Sequence, residues 1–227
     1  MTRARIAVLA SGNGSNLQAL LDHFGALGER RAGDVVLVSS DRADAGVLGR
    51  AATAKVPTAT LPPNRLAHAH AMDDLLAAHR VDLVVLAGYM RHVPDEVTRR
   101  FVGRMLNVHP ALLPAFGGVG MYGPRVHRAV LAAGATMSGP TVHFVDDIYD
   151  HGTVIAQWPV PVRLDDDEHT LAARVLRAEH ILYPRVVQAV AAGDVRLGPD
   201  GHIVHPFVLD VESLPPLDEE LGHGARQ

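Results

Sequence analysis

Two polar side chains at the end of an apolar segment, Asn107 and His109, are the residues of this sequence best suited to chemistry. Successive side chains of an extended strand point to opposite faces, so Asn107 and His109 share one face and Val108 takes the other. Pro110 favours an extended conformation at His109 and limits the strand beyond it. An amide can stabilise a developing oxyanion, and an imidazole can transfer protons near neutral pH. Taken alone, the pair is more typical of a polar strand end that caps the following loop, and it is the rest of the sequence that favours a catalytic site.

Three aspartates in a later loop, Asp146, Asp147 and Asp150, are candidate partners for this histidine. The loop follows the strand-like segment 141–145, so its acids come at a strand end, as His109 does. A carboxylate beside an imidazole favours the charged imidazolium. We therefore expect one of the three to lie beside His109 and to raise the pKa of its side chain.

The histidines of the chain do not predict a metal site. His143 and His151 lie near carboxylates in the sequence, but no ligand pair at helical spacing accompanies them. His68 and His70 are two residues apart in a helical segment and cannot face one site. The chain has no cysteine, which excludes disulfides, thiolate ligands and thiolate catalysis. We therefore expect no metal.

The glycine-rich segment 11–16 connects the first strand to the first helix. Glycines let backbone amides approach an anion closely, and a helix N-terminus adds a positive dipole, so the segment predicts a phosphate-binding loop. Ser15 or Asn16 is expected to cap the helix. A dinucleotide-binding motif would have a third glycine where Leu17 stands, although Asp41 nearly matches its ribose-binding acid. A nicotinamide-dependent reductase therefore remains an alternative to a monophosphate-binding enzyme.

The composition restricts the possible partners. The net charge of −4 provides no long-range attraction for nucleic acid, so any phosphate must be recognised locally. The N-terminal apolar segment is too short for a secretory signal, and no apolar segment is long enough to span a membrane. We expect a cytoplasmic protein that acts on small molecules, with no nucleic-acid or membrane partner.

Strand-like and helical segments alternate through the first half of the chain. This alternation predicts a doubly wound α/β fold, with a mostly parallel sheet and helices on both faces. The apolar run at 82–87 is typical of a strand that is buried on both sides. The predicted strands are 5–10, 34–40, 58–61, 82–87, 141–145 and 153–160, and the predicted helices are 16–24, 45–54, 66–79, 126–133 and 170–191.

Several of these segments together resemble the phosphoribosylglycinamide formyltransferase family, whose members are folate-dependent enzymes of purine synthesis. The matching segments are 11–16, 86–91, 107–110, 112–114, 141–145, 150–152, 179–180 and 183–184. They keep the family's order and spacing over roughly residues 5–192, which makes the match specific. Two features depart from the pattern: Ala111 replaces a serine that many members carry, and the loop 117–126 is longer than in the shortest members.

The resemblance implies the formyltransferase fold, with a Rossmann-like N-terminal half, and a role for each matching residue. Residues 1–198 would form one domain, with a phosphate-binding half at 1–104, a folate and catalytic half at 105–198, and a surface tail at 199–227. The co-substrate would be 10-formyltetrahydrofolate, and the protein would be a monomer or a homodimer. The catalytic group would be Asn107, His109 and Asp150.

The resemblance also implies two binding sites. The site for glycinamide ribonucleotide would comprise Gly14, Ser15, Asn16, Leu176, Arg177, Ala178 and Glu179. The folate site would comprise Arg65, Met90, Arg91, His92, Val93, Asn107, Asp146, Asp147, Ile148, Tyr149 and Asp150. Without the resemblance, Glu179 and His180 on a long helix would be interpreted as a solvated or satisfied surface pair.

Related formyl-transfer enzymes resemble the same core and have to be distinguished. Methionyl-tRNA formyltransferase carries a further C-terminal RNA-binding domain, for which the segment after residue 192 is too short and not basic. Formyltetrahydrofolate hydrolase carries a regulatory domain before the core, whereas the first strand here begins near residue 5. A phosphosugar-binding module without activity would not need the three catalytic side chains together. The sequence thus favours the transferase, with the hydrolase as the main alternative.

Overall fold

The computed structural model describes residues 2–209 and residue 217. Its strands are β1 (Ala4–Leu9), β2 (Gly33–Ser40), β3 (Thr58–Thr60), β4 (Leu83–Leu86), β5 (Met105–His109), β6 (Met137–Ser138), β7 (Thr141–Phe144), β8 (Val154–Gln157), β9 (Val160–Pro161), β10 (Arg196–Leu197) and β11 (Ile203–Val204). Its α-helices are α1 (Ser15–Leu27), α2 (Gly46–Thr53), α3 (Arg65–Ala78), α4 (Asp95–Arg100), α5 (Pro124–Ala132) and α6 (Glu168–Ala192). Within this part of the chain, no helix has the length and apolar character needed to cross a membrane.

Seven strands form the main sheet in the order β3-β2-β1-β4-β5-β7-β8. The neighbouring strands from β3 through β5 are parallel. Strand β7 is antiparallel to both of its neighbours, β5 and β8. The strand order changes direction between β1 and β4, and open α/β sheets bind ligands beyond the carboxyl ends of the strands at such a point. The loops after β1 and β4 meet there, where the Ser11 N–H donates to the Gly88 carbonyl over 3.1 Å. The predicted doubly wound, mostly parallel fold is confirmed.

Helices cover both faces of the sheet because its central strands are apolar on both sides. Along β1, Ile6 and Val8 pack into a core with side chains of α1, α2 and α6. The alternate residues, Ala7 and Leu9, pack into a second core with side chains of α3 and α4. Side chains alternate along a strand, so β1 contributes to both cores and is held in place from both faces.

Two predictions about individual elements were incomplete. The predicted strand 153–160 is two short strands, β8 and β9, which belong to different sheets. Between them the Trp158 N–H donates to the Pro140 carbonyl over 3.1 Å instead of extending β8. Helix α4 was not predicted, since its six residues are too few for a clear helical period.

The first part of the predicted surface tail is packed against the protein. Strand β11 pairs antiparallel with β10. Beyond β10, the side chains of Ile203, Phe207 and Leu209 are partly buried against the larger core. Residues 199–209 thus lie along the surface as predicted, with three apolar side chains partly buried, but their first part is ordered by strand pairing and is not frayed. Residues 210–216 and 218–227 of that tail lie outside the described residues.

Candidate active site

The loop after β1 brings α1 to the switch point of the sheet. Gly14 is the N-cap of α1 with φ +76°, a conformation that favours glycine. A Cβ on Gly14 would lie 2.7 Å from the Cα of Val47, so α2 also packs too closely for a side chain. The expectation that Ser15 or Asn16 caps α1 was wrong, because no side chain caps this helix. Instead the Asn16 Nδ2 donates to the Glu179 Oε2 over 2.8 Å, which connects this loop to α6.

Asn107 and His109 lie at the carboxyl end of β5, and both face a pocket beyond the sheet. Strand β7 runs antiparallel to β5 and places His143 directly opposite Asn107. The Asn107 Nδ2 lies 3.2 Å from the His143 Nε2 and 3.5 Å from the Asp150 Oδ1. The predicted shared orientation of the two β5 side chains is thus what the structure shows.

His109 is held between a backbone carbonyl and a carboxylate. Its Nε2 lies 2.8 Å from the Phe116 carbonyl oxygen, which can only accept, so Nε2 carries a proton. Its Nδ1 lies 3.4 Å from the Asp150 Oδ2. Only 3% of the residue is exposed. This arrangement leaves Nδ1 facing the carboxylate as the nitrogen that can accept or return a proton.

The structure corrects the expected pKa of this histidine. Burial lowers the pKa of His109, and the nearby Asp150 carboxylate and the Phe116 carbonyl act in the opposite direction without reversing the shift. Desolvation of the imidazolium is the larger effect in this pocket. His109 is therefore neutral at rest and able to accept a proton.

The structure selects Asp150 among the three candidate aspartates. Its backbone has φ +54°, and its Oδ2 accepts from the Gly118 N–H over 2.9 Å. The neighbouring loop packs closely, since a Cβ on Gly117 would lie 3.2 Å from the Asp150 Cβ. Asp146 and Asp147 point elsewhere, toward His151 at 2.9 Å and Arg99 at 3.6 Å, respectively. Within residues 2–209 and 217, no group of three or more histidines and carboxylates is arranged to hold a metal ion.

Glu179 is buried rather than part of a solvated surface pair. The residue is 7% exposed on α6, and burial raises the pKa of its carboxyl to about 7, although the Asn16 hydrogen bond acts in the opposite direction. The helix packs against both α1 and α5, and Asn16 of α1 contacts Glu179 directly. The interpretation from helical position alone was therefore wrong, because it could not account for these two neighbours.

These groups line one pocket of about 370 Å³. It contains most of the predicted site residues, namely Asn16, Met90, Arg91, His92, Val93, Asn107, His109, Asp146, Ile148, Tyr149, Asp150, Leu176 and Glu179. The predicted residues that do not line it are Gly14, Ser15, Arg65, Asp147, Arg177 and Ala178. Of these, Arg65 is exposed at the start of α3, Ala178 is buried in a core, and Arg177 donates to the Leu217 carbonyl.

Two buried histidines of the pocket were not predicted as site residues. His127 lies on α5, and burial lowers its pKa to about 4. His143 lies on β7 and was considered only as a metal ligand. The sequence signal for these two histidines was a polar residue on an otherwise apolar helix face or strand. Such a signal does not show what the residue contacts.

Comparison with known proteins agrees with this geometry. A family model described as formyl transferase matches residues 4–187. The chain belongs to the formyl transferase family. Within that family, it is 41% identical over 204 residues to a protein from Arabidopsis thaliana named phosphoribosylglycinamide formyltransferase, chloroplastic, covering 88% of this chain and 69% of that protein.

Solved structures with the same architecture include the following two. Glycinamide ribonucleotide transformylase 1 from Symbiobacterium toebii matches with a TM-score of 0.81 and 40% identity, over 90% of this chain and 95% of that one. A formyltetrahydrofolate deformylase from Pseudomonas syringae pv. tomato matches with a TM-score of 0.80 over 91% of this chain and 67% of that one. At 23% identity, the second likeness concerns the fold alone.

Proposed function

We propose that this protein transfers the formyl group of 10-formyltetrahydrofolate to the amine of N1-(5-phospho-D-ribosyl)glycinamide. The products are the formylglycinamide ribonucleotide and tetrahydrofolate, in de novo purine biosynthesis. The observation that carries the proposal is the convergence of Asn107, His109 and Asp150 in one pocket. Formyl transfer needs a hydrogen-bond donor that stabilises the oxyanion and a group that carries protons, both near the formyl carbon. These three side chains supply both.

The arrangement suggests a sequence of steps. The substrate amine attacks the formyl carbon, and a new C–N bond forms as the carbonyl electrons move to oxygen. The Asn107 amide N–H stabilises the resulting oxyanion, and His109 does so once it has accepted a proton. The amine proton passes through His109 and Asp150 to the folate nitrogen, whose bond to the formyl carbon then breaks. A neutral His109 suits this path, since it must first accept a proton.

The two substrates would approach from opposite ends of the pocket. We propose that the ribonucleotide lies along Gly14, Ser15, Asn16 and the α6 residues 176–179, with the phosphate at the N-terminus of α1. Glu179 would lie near the glycyl amine, and the Asn16–Glu179 hydrogen bond connects the two parts of this site. The folate would lie between residues 90–93 and the loop 146–150, all of which except Asp147 line the pocket. Arg65 is exposed, so contact with an extended folate tail is the role left for it.

The proposal extends to the whole protein. Residues 1–198 would act as one domain and as a monomer or homodimer, on small-molecule substrates in the cytoplasm and without a metal. The Arabidopsis relative is named as chloroplastic. Cell fractionation and light scattering of the purified protein test these points.

A transfer assay tests the proposed reaction. The protein is mixed with 10-formyltetrahydrofolate and glycinamide ribonucleotide, and formylated ribonucleotide and deformylated folate are measured by mass spectrometry. Equal amounts of both products are expected, and the His109→Ala protein purified in parallel controls for contaminating enzymes. Deformylation without the amine would instead indicate a hydrolase, and formylation only of charged tRNA would indicate the tRNA enzyme. Oxidation of a nicotinamide cofactor would favour the reductase.

A further inference from the structure

His143 is a buried polar residue to which the proposed reaction assigns no role. It is 2% exposed and lies on β7 directly opposite Asn107 on β5. Directly opposed residues of an antiparallel pair project to the same face, so the two side chains meet. A polar group in this position requires partners, because an unpaired buried donor or acceptor costs about 1–3 kcal/mol.

The hydrogen bonds of His143 determine which of its nitrogens carries the proton. Its Nδ1 lies 2.8 Å from the Phe144 carbonyl oxygen. A carbonyl oxygen only accepts, so Nδ1 carries the proton. Burial lowers the pKa of His143, which keeps the ring neutral and leaves Nε2 with a lone pair. His143 therefore presents an acceptor to Asn107.

This acceptor determines the orientation of the Asn107 amide. The Asn107 Nδ2 faces the His143 Nε2 at 3.2 Å and the Asp150 Oδ1 at 3.5 Å. Rotating the amide by a half-turn would place its carbonyl oxygen against a lone pair and a carboxylate, which is unfavourable. One N–H is thus held by His143, and the second is directed toward the longer Asp150 contact at the pocket.

We propose that His143 is a positioning residue, which holds the Asn107 amide so that an N–H rather than the carbonyl faces the reacting formyl oxygen. This inference rests on the proposed function. Without the His143 acceptor, the amide can turn and present its oxygen to the oxyanion, so that the transition state loses a donor while substrate binding changes little. Loss of the His143 acceptor is therefore expected to lower the rate of formyl transfer and not the affinity for either substrate.

Two substitutions separate this role from simple packing. His143→Met has an unbranched side chain of similar length and offers at most a weak thioether acceptor, whereas His143→Gln keeps an oxygen at about the position of Nε2. We expect His143→Met to lower kcat about tenfold or more, with KM for both substrates changed less than about threefold. His143→Gln should recover a large part of kcat even if both variants melt at the same lowered temperature.

A double-mutant cycle shows whether the effect acts through Asn107. In an Asn107→Ala background, His143→Met should change kcat by about twofold or less, because the amide that it orients is already absent. If the double variant instead loses kcat by the full product of the two single-variant losses, the positioning role is overturned. Equal kcat in the folded wild type and His143→Met proteins would overturn it as well.

A spectroscopic measurement is independent of turnover. Nitrogen-15 NMR of the ring-labelled full-length protein distinguishes the two neutral histidine tautomers, and we expect the Nδ1–H form for His143. The Nε2–H form would overturn the inference, since that ring donates toward Asn107. If the wild-type protein forms no formylated ribonucleotide, the proposed function is overturned, and the role of His143 in that reaction is overturned as well. An active wild type with the Nε2–H tautomer would overturn only the inference about His143.

Discussion

The buried carboxyl of Glu179 should make the stability of the protein depend on pH in a characteristic direction. Burial raises the pKa of this carboxyl from 4.5 to about 7. A difference of about 2.5 pKa units at about 1.36 kcal/mol each corresponds to about 3 kcal/mol. The folded pKa is the higher one, so this stability is fully present below pH 4.5 and is lost as the pH rises through about 7.

Replacing Glu179 with glutamine isolates this effect. Glutamine keeps the volume and an oxygen that can accept from Asn16, but it does not ionise. We expect the unfolding free energy of Glu179→Gln, relative to the wild type, to increase by about 3 kcal/mol between about pH 4.5 and pH 8. Urea unfolding across that range measures the difference, and exposed Glu96 on α4 supplies a matched Glu→Gln control that should show no such increase. A difference for Glu179→Gln that stays constant with pH, or that falls as the pH rises, would refute the reasoning.

Three further predictions concern the catalytic group and the phosphate loop. Asn107→Ala and His109→Ala should each lower kcat about a hundredfold, or about 3 kcal/mol in the transition state, and wild-type turnover in either folded variant would exclude its assigned role. Asp150→Asn should lower kcat and also lower the pKa of His109, because its carboxylate opposes the effect of burial; an unchanged NMR titration of His109 with normal turnover would contradict this. Gly14→Ala should lower stability by about 1–3 kcal/mol and weaken ribonucleotide binding, since its Cβ would lie 2.7 Å from the α2 backbone at a positive φ. In thermal unfolding, Gly12→Ala, whose Cβ would meet nothing within 4 Å, is the control that should melt at a higher temperature than Gly14→Ala, and equal melting temperatures would argue against the clash.

The sequence by itself determined the features that depend on local geometry. The two-residue period of a strand placed Asn107 and His109 on one face, and the structure confirms that both face the pocket. The alternation of apolar strands and helices likewise predicted the parallel, doubly wound sheet, which needs only the local periods and the right-handed connection between strands. The glycine-rich segment also predicted the connection from the first strand to the first helix, where Gly14 has a positive φ.

Tertiary structure decided the features that depend on segments far apart in the chain. Whether Glu179 is exposed depends on the elements that pack against α6, such as α1 with Asn16, and no helical period reveals them. The sign of the His109 pKa shift depends on the balance between burial and a nearby carboxylate, and only the packed pocket shows that burial is the larger effect. The partner of Asn107 depends on the antiparallel register of β5 and β7, which pairs it with His143 across 36 residues. Local periodicity determines which face a side chain takes, whereas the packing of distant elements determines what that face meets.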